Sequence, residues 1–403
     1  MSLTRRTLLT TAAALPAVAR AQSAPVLKIG CLTDMSGPYK DLAGPGAVAA
    51  LNLALEEYGV SGKGMKVEVL SADHLNKPDV GATVARQWFD RDGVDVIVEV
   101  ANSGVALAVA GIAKEKNKVY LNTGAATSDL TGSACNANTI HWVYDTYMLA
   151  KSTGGAMVKT GGDSWFFITA DYAFGKALQR DTTDFVTGAG GKVMGSVAYP
   201  FPGTSDFSSY LIQAQASGAK VLGMANAGAD TINTIKQAKE FGIKMRLAGL
   251  LLFLTDIHSL GLDVAQGIVL TDSFYWDMND RARAFSNRFS PKAGGARPTM
   301  VQAGVYSSIL HYLKAASAMG VDKVKLDGAA TIAQMKKMPT DDDCFGPGSI
   351  RADGRKLHPA YLWEVKKPSE SKGPWDYYKA LATTPADQAF RPLDKGGCPI
   401  VKS

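Results

Sequence analysis

Catalytic signatures are what this 403-residue chain lacks. Its five histidines, His74, His141, His258, His311 and His358, never fall at i, i+4, and no H-E-x-x-H zinc helix occurs. No G-x-S-x-G is present, which removes the hydrolase elbow, and no G-x-x-x-x-G-K-[ST], which removes the phosphate loop. Cysteine is scarce: Cys31, Cys135, Cys344 and Cys398, none in the C-x-x-C spacing of redox or metal sites. Past the first residues no apolar run reaches the roughly 20 residues of a membrane span; Leu247 to Leu254 is far too short. A strong excess of one charge is missing as well, which argues against nucleic acid or lipid as partner. Asp341-Asp342-Asp343 reads as a solvated loop and not as a paired acid and base.

What is present begins with an address. Arg5 and Arg6 precede the apolar run Leu8 to Val18 and the small-x-small site Ala19-Arg20-Ala21. This is the layout of a cleavable secretory signal over residues 1–21, and Thr4-Arg5-Arg6-Thr7-Leu8-Leu9 resembles a twin-arginine signal. Cleavage after Ala21 removes Arg5, Arg6 and Arg20 but no acid, so the formal charge falls from +6 to +3. In an exported chain the four thiols allow three full pairings, and spacing does not choose among them. Cys31 lies inside an apolar strand and reads as a buried free thiol.

The rest is long for one domain and patterned as α/β. Strands are expected at Val26 to Leu32, Lys66 to Ala72, Val94 to Val100 and Val119 to Asn122, with helices between them. The pattern restarts at Trp165 to Thr169 and continues with Lys192 to Ala198, Ala219 to Ala225, Met245 to Leu251 and Gly267 to Thr271. The strand runs are apolar instead of alternating, which predicts parallel sheets covered on both faces, in two doubly wound α/β lobes. A late helical block, Thr299 to Ala318 and Ala329 to Met338, precedes an antiparallel strand at Ala360 to Val365.

Two kinds of strand end suggest chemistry. Gly44-Pro45-Gly46-Ala47-Val48-Ala49 fits G-x-G-x-x-A, and Asp73 ends the second strand, as an exported nicotinamide-dependent oxidoreductase would require. The motif starts about ten residues beyond its strand, however, and Pro45 stiffens it, so a loop entering a helix is the better reading. Small polar residues form the other kind. Asn102, Ser103 and Gly104 open one helix, and Gly124, Ala125, Ala126 and Thr127 follow the next strand. Capping and tight turns explain each alone; together they suit a shared anion pocket at helix N-termini. In Trp165 to Gly175, WFFITADYAFG, a strand ends in Tyr172 and Phe174 with no nucleophile and base beside them. That is a binding surface.

Leu32-Thr-Asp-Met-Ser-Gly-Pro38, Val100-Ala-Asn-Ser103, Gly124-Ala-Ala-Thr-Ser-Asp-Leu130, Ala170-Asp-Tyr-Ala-Phe-Gly175 and Ala225-Asn-Ala-Gly228 occur in that order. The set resembles the type I periplasmic solute-binding proteins of ABC transporters, in the leucine/isoleucine/valine-binding family. The resemblance implies two lobes joined by three hinge crossovers, a ligand in the cleft, a permease as partner, and neither catalysis nor a cofactor or metal. It implies residues 25–142 with 278–345 as one lobe, 143–277 with 346–366 as the other, and 367–403 as a surface tail. It places Ser36 and Tyr39 at the cleft, Ser103, Ala125 and Thr127 on the ligand carboxylate, with Asn102 of the same helix start expected beside them, and Tyr172, Phe174, Asn226, Gly228 and Trp276 on the second lobe. It also favours a Cys135–Cys398 disulfide, with Cys344–Cys398 as the alternative, and a monomer in the periplasm.

One departure from the family pattern bears on the ligand. Amino-acid binders carry an acid after the strand that here is Leu247 to Leu251, to pair with the ligand ammonium. This chain continues with Leu252 and Phe253 and has no acid there before Asp256. An unpaired buried ammonium would cost several kcal/mol, roughly. The expected ligand is therefore a small organic carboxylate with an apolar or aromatic body, packed by Phe253. A branched-chain or other amino acid, or a sensing role, stands as the alternative.

Overall fold

A computed structural model describes residues 25–401. The expected leader, residues 1–21, lies outside the described residues. Five strands form a wholly parallel sheet: β1 Val26–Thr33, β2 Lys66–Asp73, β3 Val96–Glu99, β4 Val119–Asn122 and β5 Thr139–His141, in the order β2-β1-β3-β4-β5. A second sheet repeats that arrangement with β6 Ser164–Ala170, β7 Lys192–Tyr199, β8 Val221–Ala225, β9 Arg246–Gly249 and β10 Val269–Asp272, in the order β7-β6-β8-β9-β10. After the short hairpin β11 Ser349–Ile350 and β12 Lys356–Leu357, strand β13 Ala360–Val365 joins β10 antiparallel, and β14 Tyr378–Thr384 pairs β13.

Burial follows position in the sheet. Strands β3, β4 and β8 are buried at every residue, whereas the edge strands β2 and β7 alternate or stay open. Central strands covered by helices on both faces need continuous apolar residues, and an edge strand does not. The tail differs from the expectation of a surface wrap: Tyr378–Thr384 is the edge strand of the second sheet, with only Tyr378 fully buried. Its sequence, Tyr-Lys-Ala-Leu-Ala-Thr-Thr, carries little apolar signal and no clear alternation, so pairing with β13 makes it a strand.

The chain passes between the lobes three times. The first passage follows β5. The second follows β10, after which helices Asp280–Phe289, Met300–Met319 and Gly328–Lys337 return to the first lobe, Met300–Met319 lying along Gly44–Tyr58. The third runs through the β11–β12 hairpin to β13. Arg355, at 0% exposure, ties the first and third passages together: it pairs with Asp145 Oδ2 at 3.3 Å and donates to the Val143 carbonyl. Its guanidinium lies 4.4 Å over the Phe390 ring. The Cys135–Cys398 disulfide fastens the tail beside this junction, while Cys31 and Cys344 are free and buried.

Two expected features dissolve into packing. Gly46 leaves room for Gln302, whose side chain a Cβ would strike, so this glycine serves helix contact. The Asp341-Asp342-Asp343 run is not simply solvated. Asp341 and Asp343 hold Arg281, and the buried Asp342 accepts from Ser307 and from the backbone of Cys344 and Phe345.

Candidate functional site

In a sheet of order 2-1-3-4-5 the strand order reverses between strands 1 and 3, and the loops at their carboxyl ends splay to leave a crevice. Both lobes have that crevice, and they face one another. The first lobe contributes the loop after β1 and the turns after β3 and β4. The second contributes the turns after β6, β8 and β9. Between them lies a cavity of about 220 Å³, lined by Tyr39, Leu42, Ala101, Gly124, Ala126, Tyr144, Tyr172, Phe174, Ala227, Leu251 and Phe253.

The loop after β1 is wound on Asp34, which accepts from the N–H groups of Ser36, Gly37 and Tyr39 and from Asn76 Nδ2. That winding presents Tyr39 to the other lobe. Its hydroxyl meets the Tyr172 hydroxyl at 2.5 Å. Phe201 stacks on Tyr172 at 4.3 Å between centroids and lies 5.6 Å from Tyr39, so three rings close one end of the cleft. Burial pushes both phenols well above their ordinary pKa, and they stay neutral. At the other end Tyr144 stands edge-on to Phe253 and donates to the Gly124 carbonyl at 2.5 Å.

The lobes touch elsewhere too. Ala229 N–H donates to the Pro38 carbonyl at 3.1 Å, Ser128 Oγ donates to Asp181 at 2.9 Å, and Arg180 pairs with Asp129 at 3.2 Å. The cleft is closed.

Of the residues expected at the ligand, Tyr39, Tyr172, Phe174 and Phe253 line the cavity together. Gly228 stands at the closure contact: its φ is 59°, and a Cβ there would collide with the Pro38 carbonyl of the opposite lobe. Ser103 and Thr127 are adjacent, the Thr127 N–H donating to Ser103 Oγ at 3.2 Å. Asn102 is a helix cap, accepting from Val105 N–H. The Ala125 N–H is held by Asn122, and Asn226 bonds Thr231 and Thr234 inside its own lobe.

None of Asn102, Ser103, Ala125, Thr127, Asn226 and Gly228 is in the lining, and Ser36 and Trp276 are turned away from it. The Ser36 hydroxyl donates to Asp73, because the Asp34-centred turn carries it outward. Trp276 donates to the Trp375 carbonyl at 2.7 Å and packs under Arg297, so it anchors the segment before β14.

Sequence reading missed Leu42, Ala101, Tyr144, Leu251 and Phe201. Tyr144 and Phe201 follow directly on strands, which is the available signal. The others are apolar residues that resemble core. Missed as well were three buried carboxyls that burial pushes upward: Asp230 to about 6, Asp256 to about 7 and Glu99 to about 8. Asp230 accepts from the Tyr199 hydroxyl, and Asp256 from the Phe253 N–H, so neither offers a free carboxylate to the cavity.

Among the described residues, no aspartate, glutamate, lysine or arginine lines this cavity. Helices Ser103–Glu115, Ala173–Gly188, Ala229–Glu240 and Leu254–Leu260 all begin at it. Helix starts carry partial positive charge and free N–H groups. The arrangement can hold a small anion and a flat apolar body, and it places no nucleophile with a base.

A model of the periplasmic binding protein family matches residues 26–374. A periplasmic binding protein from Burkholderia mallei is 50% identical with a TM-score of 0.89, covering 93% of this chain and 99% of its own. A branched chain amino acid ABC transporter periplasmic ligand-binding protein from Burkholderia xenovorans LB400 is 43% identical with a TM-score of 0.80 and the same coverage. A solute binding protein from R. palustris, solved in complex with benzoate, shares the fold at 21% identity and a TM-score of 0.82, covering 93% of this chain and 100% of its own. Among curated proteins, Leu/Ile/Val-binding protein homolog 4 of Brucella abortus (strain 2308) is 24% identical over 394 residues, 93% of this chain and 92% of that one.

Proposed function

The chain belongs to the periplasmic binding protein family, in its type I Leu/Ile/Val-binding branch, and from that premise we propose that its ligand is a small organic carboxylate with an apolar or aromatic body. It is the ligand-binding component of an ABC transporter and not an enzyme. The observation that carries the ligand reading is the lining: five aromatic rings and no charged side chain around about 220 Å³. The space between the closed lobes is narrow, so the ligand is compact.

The anion is held at the first lobe, between the start of helix Ser103–Glu115 and the turn Gly124 to Thr127 that follows β4. The ring or alkyl body lies against Tyr172, Phe174 and Phe253. An ammonium in the same space would face helix N-termini and no carboxylate, at a cost of several kcal/mol, roughly. The second reading, a branched-chain amino acid, is favoured by the name of the 43%-identical structure from Burkholderia xenovorans. Closure of the two lobes on the ligand presents it to the permease, and the chain works as a monomer in the periplasm after export through its twin-arginine-like signal.

A thermal-shift and calorimetric comparison of benzoate, short aliphatic acids, leucine and valine tests the reading. A ligand at about 100 times its Kd stabilises by roughly 2.7 kcal/mol. Stabilisation by an acid and none by leucine or valine is expected. Tight binding of leucine with no response to any simple acid would sink the proposal.

A further inference from the structure

Behind the first-lobe wall of the cavity sits a carboxyl that the ligand reading does not use. Glu99 ends β3 and is 0% exposed; the Thr33 hydroxyl and the Val100 and Ala101 N–H groups lie near its carboxyl, but none makes a hydrogen bond of good geometry with either oxygen. Buried polar groups without partners are uncommon and call for an explanation. The wall in front of it is one glycine thick. A Cβ on Gly124, which lines the cavity, would strike Glu99 Oε1, and its next contact would be Ala101 Cα, part of the same lining, at 2.8 Å. The backbone here is strained: Glu99 has φ 82° and Val100 φ 67°. Side-chain-bearing residues adopt that region only when the surroundings enforce it, and such residues gather at binding sites.

Resting on the carboxylate reading above, we propose that Glu99 is a specificity-determining residue that stores a proton behind the anion end of the cavity. Neutral Glu99 admits a ligand carboxylate, and ionised Glu99 repels it. Burial, first of all, raises this carboxyl to about 8; the Thr33 hydroxyl and the N–H groups of Val100 and Ala101 pull the other way. The groups facing it are Cys31 on β1, Asp34 in the loop after β1, Tyr120 on β4 and Tyr144 after β5. Burial keeps Cys31, Tyr120 and Tyr144 neutral, so Asp34 is the facing charge, and it opposes ionisation of Glu99. A bound carboxylate adds a second negative charge and moves Glu99 further up. By linkage, the ligand then binds best while Glu99 keeps its proton, and affinity falls as pH rises past about 8. A ligand ammonium near Glu99 would act in the opposite sense, so the direction of the proton shift separates acids from amino acids.

The test follows the Glu99 carboxyl directly, by ¹³C NMR of protein labelled at glutamate carboxyls, which keeps it apart from Asp230, Asp256 and Asp272. The midpoint near pH 8 in free protein is expected to move above about 9 with saturating benzoate. In parallel, the benzoate Kd should weaken by about tenfold between pH 7.5 and 9.5, and Glu99→Gln should remove that slope. Bound benzoate that leaves the midpoint in place, or lowers it, would overturn the proposal, as would a slope that survives in Glu99→Gln. Those outcomes leave the carboxylate reading intact. Failure of benzoate and every other acid to bind at any pH removes that reading, and this inference with it.

Discussion

The Tyr39–Tyr172 contact joins hydroxyls from opposite lobes at 2.5 Å, so it exists only when the cleft is closed. In an open cleft both hydroxyls are solvated. Replacing either tyrosine with phenylalanine keeps the ring and, for Tyr172, its 4.3 Å stack on Phe201, and removes the hydroxyl alone. Tyr172→Phe leaves the Tyr39 hydroxyl buried at 3% exposure without its partner. An orphaned buried polar group costs about 1–3 kcal/mol, and because only the closed state bears it, affinity should fall by about 5- to 150-fold. The double variant orphans nothing and loses one hydrogen bond, about 0.5–1.5 kcal/mol, or about 2- to 12-fold. Calorimetric titration of wild type, both single variants and the double variant with benzoate closes the cycle, and chemical denaturation without ligand checks that folding is unchanged. The double variant should bind better than the two single losses add up to. Single variants within twofold of wild type, or strictly additive losses, would refute the argument that this pair latches the closed state.

Two further outcomes are expected. Gly228→Ala puts a Cβ against the Pro38 carbonyl and 3.0 Å from Tyr39 Cδ1, both on the facing lobe. Its left-handed φ strains open and closed forms alike, but the overpacking acts only on closure, at about 1–3 kcal/mol. Affinity should drop by about 5- to 150-fold, and small-angle scattering with ligand should report a more open particle; an unchanged scattering profile and Kd would contradict the closed-cleft geometry. Asp272, at the end of β10, is raised by burial to about 8, against about 4 in an unfolded chain. The folded form therefore holds the extra proton. Its contribution to stability is full below about pH 4 and is lost as pH climbs through about 8. Asp272→Asn keeps an acceptor for the Ser273 and Phe274 N–H groups and does not titrate. The gap in melting temperature between pH 6 and pH 8.5 should narrow in that variant, and an equal gap would show that Asp272 does not ionise across this range.

Much of the fold was legible because its cause is local. The central strands announce themselves as continuous apolar runs, since helices cover both faces. Tyr172 and Phe174, which line the cavity, were legible because aromatic residues at the polar end of such a run have few core explanations. Phe201 and Tyr144 escaped because an aromatic after a strand is more often core. Trp276 was misplaced for the converse reason: it lies beside a strand end, but the segment before β14 folds back and takes its indole N–H. No local pattern reports where residues 99 positions apart in the chain will meet.

By itself the sequence determined the class of architecture, the absence of a catalytic set, and the aromatic strand ends that face the cleft. These follow from periodicity and from which residue types occur, and neither depends on distant contacts. The tertiary structure alone decided which strand ends oppose one another, and so which rings share one cavity. It also decided charge. Asp256 and Glu99 look alike in sequence, yet one caps Phe253 and the other lies behind Gly124 with no hydrogen bond of good geometry. Solvation and partners set the protonation of a carboxyl, and both are properties of the folded environment that the residue letter does not carry.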